Sequence, residues 1–375
     1  MRIALLCLLL VAAGLATARS IRAQDQLACQ QGLEAQDRGD RQLAIELYNR
    51  CLAAGGLTAD SAAFFHYARG SLFADLEVYT LALPDLTEAI RLLPGNIDAY
   101  NDRGVVHHML GDLDSAIADF DRAIQLDPND QYAYANRGIA HREKGQLRQA
   151  IADFTRAIAL YSGDAYSYHN RGLAYLDRGQ YELAIADFDK AIRWDPGMVL
   201  AYESRGLTLQ EMGLLDRAIA DFDTMAQLDP SDPFAFSNRG WAKREKGRIE
   251  AAIADFDRAI ALDLGNDDAL NGRAYARAAA GDLEGARGDV DKALALRPGD
   301  PHITDTLGDI LCLHGQTEEA LATWGRALAA STEAVSDKQR KLRRAGFYEG
   351  VSDGVAGADL DAALRSWAEA GCPGF

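Results

Sequence analysis

The chain is short of positive charge. Its 39 lysines and arginines face 56 aspartates and glutamates, a formal net charge of −17 over 375 residues. A field of that sign repels phosphate backbones, which argues against nucleic acid as a partner. Long apolar runs are scarce too. The one present extends from Ile3 to Ala18, and no later stretch suffices for a membrane span. Catalytic signatures are missing: there is no G-x-x-x-x-G-K-[ST] loop, no G-x-S-x-G, and no His/Cys set at zinc spacing. The chain is therefore expected to be no enzyme and to carry no cofactor and no metal.

The N-terminus has the order of a secretory signal peptide: Met1-Arg2, the apolar run, then small residues with cleavage after Ala18 or Ala23. Residues 1–23 are read as that leader, and an exported protein follows from it.

What is abundant is repetition. Ile97 opens IDAYNDRGVVHHMLGDLDSAIADFDRAIQLDPND, and related units open at Gln131, Ala165, Val199 and Pro233, each 34 residues after the last. Looser copies start at Asp267, Pro301 and Ala63, and a divergent one starts near Asp25. Within a unit, apolar residues recur at spacings of three and four, broken midway by a glycine such as Gly111, Gly145 or Gly247. That pattern predicts two helices per unit joined by a glycine C-cap. Position 8 is small (Gly104, Gly138, Gly206, Gly240), position 20 is alanine (Ala116, Ala150, Ala218, Ala252), and position 24 is aromatic (Phe120, Phe154, Phe222, Phe256).

A 34-residue period with this small–small–aromatic signature resembles the tetratricopeptide repeat family over roughly residues 25 to 334. The resemblance implies an all-α, right-handed solenoid of about nine helical hairpins, stabilised by stacking neighbours. It also implies a concave groove lined by first-helix positions 2, 5, 9, 12 and 13. Among the residues carried onto those positions are Asn101, His108, Tyr132, Arg142, Tyr166, His169 and Asp177. The set continues with Glu203, Gln210, Phe234, Trp241, Arg244 and Tyr275. The scaffold positions repeat nearly letter for letter and these do not, so a protein or peptide partner in the groove is expected.

Three sets of residues have internal explanations. Arginine at position 7 recurs with aspartate at position 23, as in Arg103 with Asp119 and Arg239 with Asp255, which predicts an ion pair across each hairpin. His107 and His108 point about 100° apart on a helix, a poor chelating pair. Cys29 and Cys51 occupy facing positions of the first hairpin, and in an exported chain they are expected to be joined. Only parity links Cys312 to Cys372.

After Ala330 the period stops. The tail resembles the small three-helix domain called peptidoglycan-binding, on Val335, Gln339 and Leu342, then Gly346-Phe347-Tyr348, Gly350, Asp353-Gly354 and Gly357, then Ala363, Leu364 and Trp367. Lys338 stands where leucine is usual. The resemblance implies wall association, with Phe347, Tyr348, Asp353 and Trp367 as candidates, and the basic run from Lys338 to Arg344 facing anionic wall polymer. The expected organisation is leader 1–23, a divergent repeat 24–62, repeats 63–334 and a three-helix module 335–375. The reading is an adaptor of the cell envelope, periplasmic, with a protein partner and peptidoglycan as ligands. An enzyme or enzyme accessory acting on wall glycan, and a plain structural spacer, are the alternatives.

Overall fold

A computed structural model describes residues 27–373. The expected leader lies outside them. Among the described residues the regular structure is all helical. The chain divides into two compact units between Leu183 and Ala184.

The first unit begins with a helix over residues 27–37 and its partner Arg41–Ala53, followed by the hairpins Ala59–Asp75 with Tyr79–Leu92, Ile97–Met109 with Leu113–Leu126, and Gln131–Glu143 with Leu147–Leu160, then the helix Ala165–Leu176. The second holds Val199–Glu211 with Leu215–Leu228, Pro233–Glu245 with Ile249–Leu262, Asp267–Ala279 with Leu283–Leu296, and Pro301–Leu313 with Thr317–Ala330. The helix Tyr181–Trp194 contains the division.

Local chemistry sets these boundaries. First helices start at short polar caps: Asn96, Asp130, Asp232, Asn266 and Asp300 each accept a backbone N–H of the first turn. Gly111, at φ 79°, ends the Ile97 helix in the left-handed region that glycine alone adopts freely. Second helices stop where Asp127 and Asp229 take extended backbone ahead of Pro128 and Pro230.

The small residue at position 8 is required by the aromatic at position 24. A Cβ built on Gly240 would lie 2.8 Å from Phe256 Cε1, and one on Gly206 would lie 2.6 Å from Phe222 Cε1. Each phenylalanine is fully buried, and that burial stabilises by roughly 1.5–3 kcal/mol.

The arginine ladder is more extensive than a pair per hairpin. Arg239 grips both oxygens of Asp255, at 2.9 and 2.6 Å, and its third nitrogen reaches Asp223 of the preceding repeat at 2.6 Å. Arg137 does the same with Asp153 and Asp121, and Arg273 with Asp289 and Asp257. The position-23 aspartates are buried: Asp255 is 5% exposed and Asp289 1%. The pair within each hairpin is therefore interior, while the bond to the preceding repeat ends on a half-exposed carboxylate, Asp223 at 45% and Asp257 at 53%.

Cys29 and Cys51 are bonded in the structure, with Cα atoms 4.9 Å apart, and so are Cys312 and Cys372, at 6.2 Å. The tail differs from expectation. It has two helices, Thr332–Arg344 and Ala358–Glu369, not three, because the intervening residues run through Gly346, Gly350, Gly354 and Gly357 as irregular backbone. Gln339, fully buried, pins that backbone by donating to Asp353 at 2.9 Å and Val355 O at 3.1 Å and accepting from Gly354 N at 3.0 Å. Both tail helices share one core with the last hairpin, through Leu311, Trp324, Leu342, Leu360, Leu364 and Trp367.

Candidate partner-binding groove

In the first unit a cavity of about 960 Å³ opens among Leu93, Ile97, Asp98, Asn101, Asp130, Tyr132 and Tyr161. Two expected groove residues, Asn101 and Tyr132, line it. Asn101 Nδ2 donates to Asp130 Oδ2 at 2.5 Å, and its Oδ1 is buried with no partner. Asp130 also caps the next helix through Tyr132 N and Ala133 N, which fixes Tyr132 at the cavity edge, 69% exposed. Tyr166 occupies the same repeat position and is 64% exposed. Farther along the helices, His108 Nε2 lies 2.9 Å from Glu143, and Arg142 Nε donates to Asp177 at 2.8 Å. His169 is a correction: it is buried at 6% exposure, so it belongs to the packed interior and not to the groove surface.

In the second unit Leu200 and Phe234 continue the exposed apolar position, at 53% and 59%. Glu203 accepts from Asn238 at 3.4 Å, and burial raises its carboxyl above the ordinary range. Gln210 donates to Glu245 at 3.2 Å. Trp241, assigned to the groove by its repeat position, also packs edge-on against Phe256 at 5.6 Å and donates its indole N–H to Asp268 at 2.9 Å. It supports the repeat as well as facing the groove. Arg244 rests against the rings of Trp241 and Tyr275, at 5.0 and 4.8 Å from their centroids. The Tyr275 hydroxyl donates to Asp309 at 2.9 Å, and burial together with Asp309 pushes its pKa well above the ordinary value.

Sequence reasoning missed a charged cluster where the tail meets the last repeat. Lys338 is completely buried, 2.8 Å from Asp305 and 2.7 Å from Asp309. Lys341 sits 2.5 Å from the other oxygen of Asp309, and Trp324 Nε1 donates to Asp309 at 3.0 Å. Burial pushes Asp305 up to about 6 against the pull of Lys338. Burial also works to raise Asp309, but Lys338 and Lys341 outweigh it and hold that carboxyl down at about 2. The signal was present in the sequence: Asp305 and Asp309 fall on groove positions 5 and 9, and Lys338 replaces a leucine.

The wall-association residues are correspondingly rearranged. Trp367, named as a wall-association candidate, is fully buried and stacks on Trp324 at 5.4 Å. Asp353 is committed to Gln339 and to Val355 N. Phe347 and Tyr348 are partly buried against the tail core. Of the basic run, Lys338 and Lys341 turn onto Asp309, while Arg343 and Arg344 remain exposed.

Stacked hairpins, a small–aromatic signature and variable residues on the first helices define an α-helical repeat scaffold. The chain belongs to the tetratricopeptide repeat family, whose profiles match residues 97–130 and residues 29–97, 135–199, 169–233 and 237–301. Among solved structures it is similar to a tetratricopeptide repeat protein from Parabacteroides merdae, at 20% identity and TM-score 0.52, covering 66% of this chain and 97% of that one. It is likewise similar to Pseudomonas aeruginosa PilF, at 17% identity and TM-score 0.51, covering 58% and 99%. YrrB, described as a TPR protein with an unusual peptide-binding site, aligns at 24% identity and TM-score 0.42, over 49% of this chain and 95% of its own. No curated protein matches the chain.

Proposed function

We propose that the chain is an exported scaffold that holds a protein or peptide partner against the first-helix faces of its repeats. One observation carries this reading. Position 2 leaves a large apolar side chain in water in successive repeats, Tyr132 and Tyr166 in one unit and Leu200 and Phe234 in the other, while positions 8, 20 and 24 are packed away. A single exposed apolar residue is ordinary. The same exposure repeated in register within each unit suits a partner segment that buries more than one anchor there.

Export rests on the leader-like N-terminus, and two cysteine pairs at bonding distance suit an oxidising compartment. Wall association, if the tail provides it, must use the surface around Phe347, Tyr348, Arg343 and Arg344, since Trp367 and Lys338 are buried. Sedimentation with purified sacculi tests that part separately.

For the groove, the full-length protein and its Tyr132→Ser/Tyr166→Ser variant are compared as baits for envelope extract. Both side chains are exposed, so the thermal transition should not move. The expected result is a partner retained by the wild type and lost by the variant. An identical captured set with both baits would favour a structural spacer.

A further inference from the structure

In three repeats the polar residue at position 12 comes close to a carboxylate at position 13 of the next, 35 residues on; in the Ala165 repeat that position is the apolar Leu176, ahead of Glu211. Arg142 pairs with Asp177 at 2.8 Å and Gln210 donates to Glu245 at 3.2 Å, while His108 Nε2 lies 2.9 Å from Glu143 without a hydrogen bond. Arg244 holds position 12 in the Pro233 repeat. Thirty-five residues on stands Ala279, an exposed alanine in place of an acid.

The guanidinium is accordingly left without a counter-ion. Its Nε is buried and has no hydrogen-bond partner, and no carboxylate among the described residues pairs with it. The acids of the same wall are engaged elsewhere. Asp268 accepts the Trp241 indole, Glu245 accepts Gln210, and Asp309 is neutralised by Lys338 and Lys341. Trp241 and Tyr275 flank the guanidinium and restrict its motion. In a chain so rich in carboxylate, a half-buried, aromatic-flanked arginine with a vacant partner position is a built anion seat.

Resting on the groove reading above, we propose that Arg244 receives a carboxylate from the bound partner. That carboxylate is an acidic side chain standing where position 279 supplies none, with Trp241 and Tyr275 as the walls of its seat. The partner of the second unit is thus apolar where it meets Leu200 and Phe234 and acidic opposite Arg244.

The test uses the full-length protein and three labelled hexapeptides of alternating leucine and glycine with one variable central residue. One carries glutamate and a C-terminal amide, one glutamine and an amide, and one glutamine with a free terminal carboxylate. The Arg244 Nε–Hε resonance reports occupancy. A charge-assisted hydrogen bond predicts a saturable shift with the glutamate peptide and about tenfold weaker response to the glutamine amide. Ala279→Glu, at an exposed position, supplies the missing acid from within the chain. It should raise the thermal midpoint and abolish the glutamate advantage. Equal binding of the glutamate and glutamine amides, or an advantage that survives in Ala279→Glu, would overturn the proposal. No saturable shift with the glutamate peptide would do the same, and a response to the terminal carboxylate alone would overturn the side-chain assignment. The groove reading fails on a different result, capture that is insensitive to Tyr132 and Tyr166.

Discussion

Replacing Lys338 by methionine separates charge from packing at the tail. The ammonium sits with no exposure between Asp305 at 2.8 Å and Asp309 at 2.7 Å, over the rings of Trp324 and Trp367 at 4.8 and 5.3 Å. Methionine keeps most of the apolar stem against both rings and removes only the cation. Losing one member of a buried pair costs about 3–5 kcal/mol. The lower end applies here, because Lys341 continues to neutralise Asp309 and Asp305 is already pushed up to about 6. The expected loss is therefore about 3 kcal/mol at about pH 7.5. The pH dependence has a definite sign. A carboxyl raised from about 4 to about 6 keeps its proton in the folded state where the unfolded chain has released it, so its contribution to stability falls as pH rises through that window. Without Lys338 the carboxyl rises further and the fall steepens, so the loss should be smaller at about pH 5 than at about pH 7.5. Urea unfolding followed by tryptophan fluorescence reads both values. An unchanged midpoint at the higher pH, or a larger loss at the lower one, would refute the argument.

Other substitutions test the scaffold. Gly240→Ala drives a Cβ to 2.8 Å from Phe256 and should cost about 1–3 kcal/mol in a chemical melt. Asp255→Asn leaves Arg239 and Lys243, at 2.6 and 2.7 Å, without their shared carboxylate; a loss of about 3 kcal/mol is expected, against under 1 if the pair behaves as a surface one. Cys29→Ser/Cys51→Ser opens a loop of sequence separation 22 and should cost about 3 kcal/mol, with the linked peptides of the wild type visible in non-reducing peptide mapping. Trp241→Ala should lower the thermal midpoint, unlike Tyr166→Ala, because only the indole packs on Phe256.

The sequence and the structure agree most closely where one cause acts at one spacing. Gly240 and Phe256 are legible because the same clash recurs at Gly104 with Phe120, Gly138 with Phe154 and Gly206 with Phe222. The pairing of Arg239 with Asp255 is legible because both vary together, disappearing at Gln31 with Leu47 and at Leu307 with Thr323. Its second partner, Asp223, was not, because the bond runs backward to the preceding repeat and a hairpin-by-hairpin reading does not look there. Trp241 misled because groove position alone says nothing about ring size, and an indole at that place reaches the core. Trp367 and Lys338 misled for a different reason. A resemblance judged on the tail alone treats it as a free-standing module, whereas these side chains are buried against the last hairpin by Trp324 and Asp309. Arg244 was named for its position, but its meaning came only from seeing which arginines already hold an acid.

A photo-crosslinking amino acid at Tyr166, compared with the same residue at exposed Arg122 on a second helix, tests partner binding at the groove most directly. The account predicts that, in living cells, a discrete adduct forms from position 166, is absent from position 122, and weakens in Tyr132→Ser. Equal adducts from both positions, or none from position 166 while position 122 reacts, would contradict it.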